Sequence, residues 1–225
     1  MTTPHITALA PDPDVTLGRF ADWLAEAGAT VDLVDLTTTS VPESVGDGVI
    51  VLGGADDARS YPWVGDLHAA LREWVSADIP VLGICLGAQL LADAHDGDLA
   101  FGLEGEEGAV EIDLMAAAAT DPLFVGLDSP LTVPEHHHDV ITTLPAGAEL
   151  LAASERYEIQ AFRLGSAVGI QFHPEASPET MSAWTATTGG DGGAMLAEMQ
   201  AVDDRVADTG RRIARNFVTI LGHCR

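Results

Sequence analysis

The chain has 225 residues and a formal net charge of −25, from 35 acidic residues against ten basic ones, all of them arginine. This charge excludes functions in which the protein binds nucleic-acid phosphates or an anionic membrane surface, because both kinds of binding need many cationic side chains. Hydrophobic residues make up 47% of the sequence, which excludes the disordered class. We expect a soluble, cytoplasmic protein, since no apolar run reaches the roughly 20 residues of a membrane helix and the N-terminus does not resemble a signal peptide.

In the first half, apolar runs alternate with stretches of helical periodicity. The predicted elements are a strand His5–Ala10, a helix Thr16–Ala27 capped by Thr16 or Asp14, strands Thr30–Leu36 and Gly48–Leu52, a helix Tyr61–Ala77, and a strand Ile79–Ile84. Several of these strands are apolar along their whole length, which is typical of burial on both faces. The pattern predicts an α/β layer fold with a parallel sheet.

Beyond Gly97, short strand-like runs are separated by turns rather than helices. The predicted strands are Val110–Leu114, Leu131–Pro134, Glu149–Ala153, Glu158–Arg163 and Ala167–Phe172. They indicate an antiparallel extension or hairpins beside the parallel core. A C-terminal segment of about residues 178–222 is predicted to be helical, with a break at Gly189–Gly193. Because no linker interrupts the sequence, we expect residues 1–225 to form a single domain.

The segment Gly83-Ile84-Cys85-Leu86-Gly87 joins an apolar strand directly to a predicted helix. It is the cysteine version of a nucleophile elbow, in which flanking glycines permit a sharp strand-to-helix turn. The N-terminal end of the helix would stabilise a negatively charged sulfur, and backbone N–H groups there could hold an oxyanion. The alternative is a buried core cysteine. Cys224, the second cysteine, is the penultimate residue and is interpreted as a bystander.

A cysteine nucleophile needs a base and an orienting group. His173 follows an apolar strand directly, and Glu175 lies two residues further on, with Pro174 stiffening the connection. A histidine oriented by a carboxylate is the other half of a catalytic triad. Four further histidines look incidental because of their positions, namely His5, His68, His95 and His223.

The run His136-His137-His138-Asp139 also raises the question of a metal site. Adjacent residues in an extended segment point to opposite faces, and no Cys-x-x-Cys or His-Glu-x-x-His partner accompanies the run. We therefore expect this run to form a wall of a substrate pocket, and we expect no metal and no cofactor.

Several segments, taken in their order along the chain, resemble those of the class I (triad) glutamine amidotransferases. Within that family the chain is most similar to free-standing proteins that resemble the amidotransferase domain of GMP synthase. The resemblance covers nearly the whole chain. The segments that carry it are Gly53-Gly54, Tyr61-Pro62-Trp63, Gly83-Ile84-Cys85-Leu86-Gly87-Ala88-Gln89-Leu90-Leu91, Gln160-Ala161-Phe162 and Gly169-Ile170-Gln171-Phe172-His173-Pro174-Glu175.

The resemblance implies a flavodoxin-like three-layer sandwich, with a mostly parallel central sheet and an added antiparallel region. It further implies a cysteine hydrolase of γ-glutamyl amides, which releases ammonia from glutamine through a γ-glutamyl thioester. The implied roles are Cys85, His173 and Glu175 as the catalytic triad, Gly54 and Leu86 as oxyanion-hole donors, and Gln89 and His137 as substrate-binding residues.

The sequence departs from the family pattern at two places in the expected pocket. Ala109 stands after Glu106-Glu107-Gly108 where relatives usually have an aromatic residue, and His136 precedes His137 where an aromatic is common. Both departures leave substrate identity open. Glutamine carries an α-carboxylate, and since the chain has no lysine, backbone N–H groups or an arginine must bind it.

Three functional hypotheses follow. A glutaminase would pass ammonia to a synthetase partner in trans; because no ATP-pyrophosphatase segment follows Glu175, any acceptor chemistry must come from another chain. A stand-alone γ-glutamyl peptide hydrolase would use the same chemistry in a larger pocket. A regulatory homologue without turnover would keep only the fold. The oligomeric state is not predicted.

Overall fold

The computed structural model describes residues 3–12 and 15–223. Cys224 and the alternative cap Asp14 lie outside these residues. The strands are β1 (His5–Ala10), β2 (Thr30–Asp35), β3 (Gly48–Val51), β4 (Val81–Ile84), β5 (Asp98–Ala100), β6 (Glu106–Leu114), β7 (Leu131–His137), β8 (Val140–Thr143), β9 (Glu149–Ser154), β10 (Ala161–Leu164) and β11 (Ala167–Ile170). The helices are α1 (Phe20–Glu26), α2 (Val64–Ser76), α3 (Leu86–Ala94), α4 (Pro178–Thr187) and α5 (Gly192–His223), with a short 3-10 helix at Ala116–Ala119.

One mixed nine-stranded sheet forms the centre, in the order β2-β1-β3-β4-β11-β10-β9-β6-β7. The five strands from β2 to β11 run parallel, and each of the pairs from β11 to β7 is antiparallel. β5 and β8 form a separate two-stranded antiparallel sheet. The predicted parallel core with an antiparallel extension is therefore confirmed.

Helices cover both faces of the parallel strands. Alternate residues of a strand point to opposite faces, so Ile50 packs with α1 and α5 on one side, whereas Val49 and Val51 pack with α2 and α3 on the other. The result is the predicted three-layer sandwich. No helix in the described part of the chain is both long enough and apolar enough to span a bilayer.

Most differences from the predicted elements concern their ends. The predicted helix Thr16–Ala27 begins only at Phe20, because Gly18 has a positive φ of 49° and turns the chain just before it. Strand β7 continues beyond the predicted end at Pro134 to His137. A proline is tolerated there because β7 is an edge strand of the sheet.

Four further differences lie in the antiparallel region and beyond it. Strand β6 begins at Glu106 rather than Val110, and β10 begins at Ala161 rather than Glu158. The short strands β5 and β8 were not predicted, because neither is long enough to show a clear alternation. The predicted helix break at Gly189–Gly193 is shorter in the structure, since α5 already begins at Gly192.

Candidate active site

Cys85 occupies the sharp turn between β4 and α3. Its backbone is strained, with φ of 50° and ψ of −107°, a combination that L-residues rarely adopt. A Cβ on Gly87 would lie 2.1 Å from the carbonyl oxygen of Val51, and one on Gly83 would lie 2.5 Å from that of Gly87. Both glycines are therefore required by close backbone contacts, and the predicted elbow is present with Cys85 buried at its apex.

His173 and Glu175 lie beside Cys85, at the end of the neighbouring strand β11. The Nδ1 atom of His173 is 2.8 Å from Oε1 of Glu175, so Nδ1 carries the proton and donates it to the carboxylate. Both side chains are almost fully buried. The backbone N–H of His173 donates to the carbonyl of Pro134 on β7, which fixes the position of the loop.

The electrostatic surroundings of His173 favour its protonated form. Burial alone would lower the pKa of His173, but the negative charges of Glu175 and Cys85, together with hydrogen bonds to both, raise it well above its ordinary value. The arrangement suits a protonated imidazole next to the sulfur of Cys85.

Two glutamines form a hydrogen-bonded chain that ends at the sulfur. Gln171 donates from Nε2 to Sγ of Cys85 at 3.4 Å. Gln89 donates from Nε2 to Oε1 of Gln171 at 3.3 Å and to the carbonyl of Asp139 at 2.9 Å. The predicted substrate-binding residue Gln89 therefore lines the pocket while its amide nitrogen holds protein partners.

A cavity of about 380 Å³ opens above Cys85. The described residues that line it are Asp12, Val15, Gly54, Ala55, Asp56, Cys85, Leu86, Gln89, His136, His137, His138, Asp139, His173, Trp184, Thr187 and Thr188. Every predicted site residue is among them except Glu175, which lies behind His173. No arginine is among these lining residues. Of the two groups predicted to bind an α-carboxylate, an arginine or backbone N–H groups, only the N–H groups are therefore available in this lining.

The two predicted oxyanion donors come from different elements, the start of α3 and the loop after β3. Leu86 is the first residue of α3, and the first-turn amides of a helix have no acceptor within the helix. Gly54 follows the end of β3, and a Cβ there would meet the side chains of Leu86 and Tyr61 at 2.4 and 2.7 Å. The two residues are thus packed side by side at the nucleophile.

The three consecutive histidines have different surroundings. The ring of His136 packs against Trp184, with ring centres 5.8 Å apart. Burial lowers the pKa of His136, since it disfavours the charged ring. The Nδ1 atom of His137 is 3.1 Å from the carbonyl of Asp139, while its Nε2 faces the carboxylates of Glu106 and Glu135. His138 lies 3.3 Å from the carbonyl of Leu103.

Sequence reasoning missed three side chains in the surroundings of Cys85 and His173. Gln171 lies in the same segment as His173, and its place immediately after a buried strand was a usable signal. Trp184 on α4 packs edge-on against the ring of His173, at 4.8 Å between centres. Glu135 is fully buried next to His137. Periodicity gave no signal for the last two, because their roles arise only when distant elements pack together.

Comparisons with known proteins agree with this geometry. The family model of the glutamine amidotransferase class-I domain matches residues 19–186. A subunit of a glutamine-hydrolyzing GMP synthase from Haloquadratum walsbyi is 37% identical over 159 residues, which are 68% of this chain and 80% of the relative.

Solved structures extend the similarity to nearly the whole chain. A glutamine amidotransferase from Thermotoga maritima superposes with a TM-score of 0.85 at 26% identity, covering 97% of this chain and 99% of the other. A glutamine amidotransferase from Methylobacillus flagellatus gives a TM-score of 0.82 at 25% identity, with coverages of 96% and 93%.

The fold and the elbow cysteine thus define a flavodoxin-like α/β protein with a buried cysteine in a strained turn at the carboxyl ends of parallel strands. More narrowly, the chain belongs to the class I glutamine amidotransferase family, as its resemblance to that family predicted.

Proposed function

We propose that the protein hydrolyses the side-chain amide of glutamine and releases ammonia, with Cys85 as nucleophile. The observation that carries the proposal is the position of Cys85, held in a strained turn at the floor of the cavity with the His173–Glu175 pair beside it. Family membership supports the same reaction.

The chemistry proceeds in two stages. The sulfur of Cys85 attacks the amide carbon, and the N–H groups of Leu86 and Gly54 stabilise the oxygen that becomes negative. His173 then donates its proton to the departing nitrogen, so that ammonia leaves and a γ-glutamyl thioester remains. A water molecule, deprotonated by His173, attacks the thioester, and glutamate and the free thiol are regenerated. Glu175 keeps the imidazole in the required orientation throughout.

Recognition of the amino-acid end follows from the lining of the cavity. Three carboxylates, those of Asp12, Asp56 and Asp139, are placed to attract an α-ammonium group, and Asp139 also accepts from the N–H of Gly102. The α-carboxylate would be bound by backbone N–H groups.

The ammonia acceptor is proposed to belong to a separate synthetase chain that docks in trans. This part rests on the relatives, several of which are named as one subunit of a glutamine-hydrolyzing GMP synthase.

The size of the cavity, about 380 Å³, supports a second candidate, hydrolysis of a γ-glutamyl peptide. One side of that cavity is formed by Trp184, Thr187 and Thr188. Helix α4 ends at Thr187, so this wall lies at the C-terminal end of the helix. The same triad would cleave the larger substrate, with an amine leaving in place of ammonia.

The test is a substrate panel of glutamine and γ-glutamyl peptides, assayed for released ammonia or amine. Glutamine turnover is expected in the wild-type protein, with a loss of roughly 10⁴-fold or more in Cys85→Ser. Cys224→Ser, which changes the other cysteine, serves as the matched control and should retain activity. Turnover of γ-glutamyl peptides alone would favour the second candidate. Equal rates in wild type and Cys85→Ser would refute both.

A further inference from the structure

The pairing of strands β6 and β7 brings three side chains of types that can bind a metal ion to one buried point next to the cavity. Glu135 and His137 are two residues apart on β7 and therefore share one face of the sheet. Glu106 on β6 is paired directly opposite His137. One ligand atom from each of these residues lies within 4.8 Å of the others.

The hydrogen bonds of His137 determine which nitrogen is free. Its Nδ1 lies 3.1 Å from the carbonyl of Asp139, which can only accept, so Nδ1 carries the proton. Nε2 lies 3.3 Å from Oε2 of Glu106, to which it donates a hydrogen bond when it is protonated, and 3.4 Å from Oε2 of Glu135. In the ring protonated at Nδ1 alone, Nε2 presents a lone pair to both carboxylates, and a positive charge has to lie between these three electron-rich atoms.

No arginine in the described part of the chain supplies that charge, since none forms an ion pair with Glu106 or Glu135. His173 attracts Glu135, but its charge is already shared with Glu175 and Cys85. Both oxygens of Glu135 are buried and have no hydrogen-bond partner among the described residues, and its side chain is fully inaccessible to water. An unpaired buried carboxylate is costly, so these oxygens point to a ligand between the three side chains.

We propose that Glu106, Glu135 and His137 form a structural site for a divalent transition-metal ion, with Zn²⁺ as the best fit. Tetrahedral Zn²⁺ with bonds of about 2.0–2.2 Å separates its ligand atoms by about 3.3–3.6 Å. The separations of 3.3 and 3.4 Å from Nε2 of His137 to the two carboxylates match this spacing. The charge of the ion also equals that of two carboxylates, so the occupied site is neutral.

Hydrogen bonds from neighbouring groups hold the three proposed ligands in place. In established metal sites a ligating histidine donates its second N–H to a protein acceptor, and the ligating carboxylates are themselves hydrogen-bonded. Here His137 donates to a backbone carbonyl, and Glu106 accepts from Ser154 and Gln160. The side-chain oxygen of Gln160 is itself buried and unpartnered, which adds a neutral donor atom beside the site.

Without an ion, burial and hydrogen bonding act differently on the two carboxyls. Burial alone would raise the pKa of Glu106, but hydrogen bonds from His137 and from its other neighbours lower it. Burial and the charge of Glu106 raise the pKa of Glu135 well above its ordinary value, so that Glu135 would hold a proton. Metal and proton are therefore the two alternatives that an experiment must separate.

The test is metal titration of the full chain, measured without turnover. The chelator-treated Cys85→Ser variant is titrated calorimetrically with ZnCl₂, so that the active-site thiolate cannot contribute. One ion is expected per chain, and Glu135→Gln, which keeps the side-chain size, should weaken binding by at least about tenfold. Glu111→Gln, exposed on the same strand β6, is the matched control and should bind like the parent.

A spectroscopic measurement on wild-type protein covers the case in which a variant folds poorly. X-ray absorption at the zinc edge should show only nitrogen and oxygen ligands. A sulfur ligand would overturn the proposal, since it would locate the ion at Cys85. Absence of stoichiometric binding, or binding that Glu135→Gln leaves unchanged, would overturn it as well and would assign the proton to Glu135.

Discussion

Replacing Gln171 with methionine should slow the reaction of Cys85 even though the nucleophile and its base are both retained. The amide of Gln171 donates to Sγ at 3.4 Å, and both side chains are buried. A hydrogen bond to a charged group contributes about 1.5–3 kcal/mol. Since about 1.4 kcal/mol corresponds to a factor of ten, we expect Gln171→Met to lower kcat/KM for glutamine by roughly 10- to 100-fold.

Gln171→Met should also slow the alkylation of Cys85 by iodoacetamide at pH 7. Alkylation measures the reactivity of the sulfur without any contribution from glutamine binding. Gln89→Met provides a graded comparison, because it removes the neutral hydrogen bonds to Gln171 and to the carbonyl of Asp139 and leaves the N–H to sulfur contact in place. A neutral hydrogen bond contributes about 0.5–1.5 kcal/mol. The rate of alkylation in Gln89→Met should therefore fall by only about 2- to 13-fold. Unchanged alkylation in well-folded Gln171→Met would refute the assigned role of the amide.

Three further variants test other parts of the site. Glu175→Gln removes the charge that raises the pKa of His173, so the alkaline limb of the kcat/KM profile should move to lower pH, and an unmoved limb would contradict this. Trp184→Ala should reduce kcat about 2- to 13-fold, with recovery in Trp184→Phe, because the aromatic contact with His173 contributes about 0.5–1.5 kcal/mol. Gly87→Ala should destabilise the fold by about 1–3 kcal/mol in urea unfolding, whereas Gly65→Ala, in open space on α2, should not.

The parallel half of the fold could be predicted because each of its elements carries a local signal. The strands around Ile50 and Ile84 are apolar throughout, and glycines mark their ends. The antiparallel half was predicted only in outline, since Pro134 looked like the end of a strand. It is tolerated inside β7 because that strand lies at the sheet edge, a property of the assembled sheet that no local pattern contains.

The candidate site divides in the same way. Cys85, His173 and Glu175 could be proposed from short motifs, because elbow and base each lie next to a strand end. The contact of Trp184 with His173, and the burial of Glu135 against Glu106, depend on the packing of α4 and on the pairing of β6 with β7. Short-range periodicity carried no information about these contacts, because they form only when separate elements come together.

The pairing of β4 with β11 also constrains the chain between them. Ile84 is in register with Ile170, and the N–H of Cys85 donates to the carbonyl of Ile170 at 2.8 Å. A slip of two residues would move one strand end by about 6.6 Å and separate Cys85 from His173. The elements between these strands, from α3 to β10, must therefore return the chain to this one register, so an insertion or deletion there is compatible with the site only if β11 keeps its place beside β4.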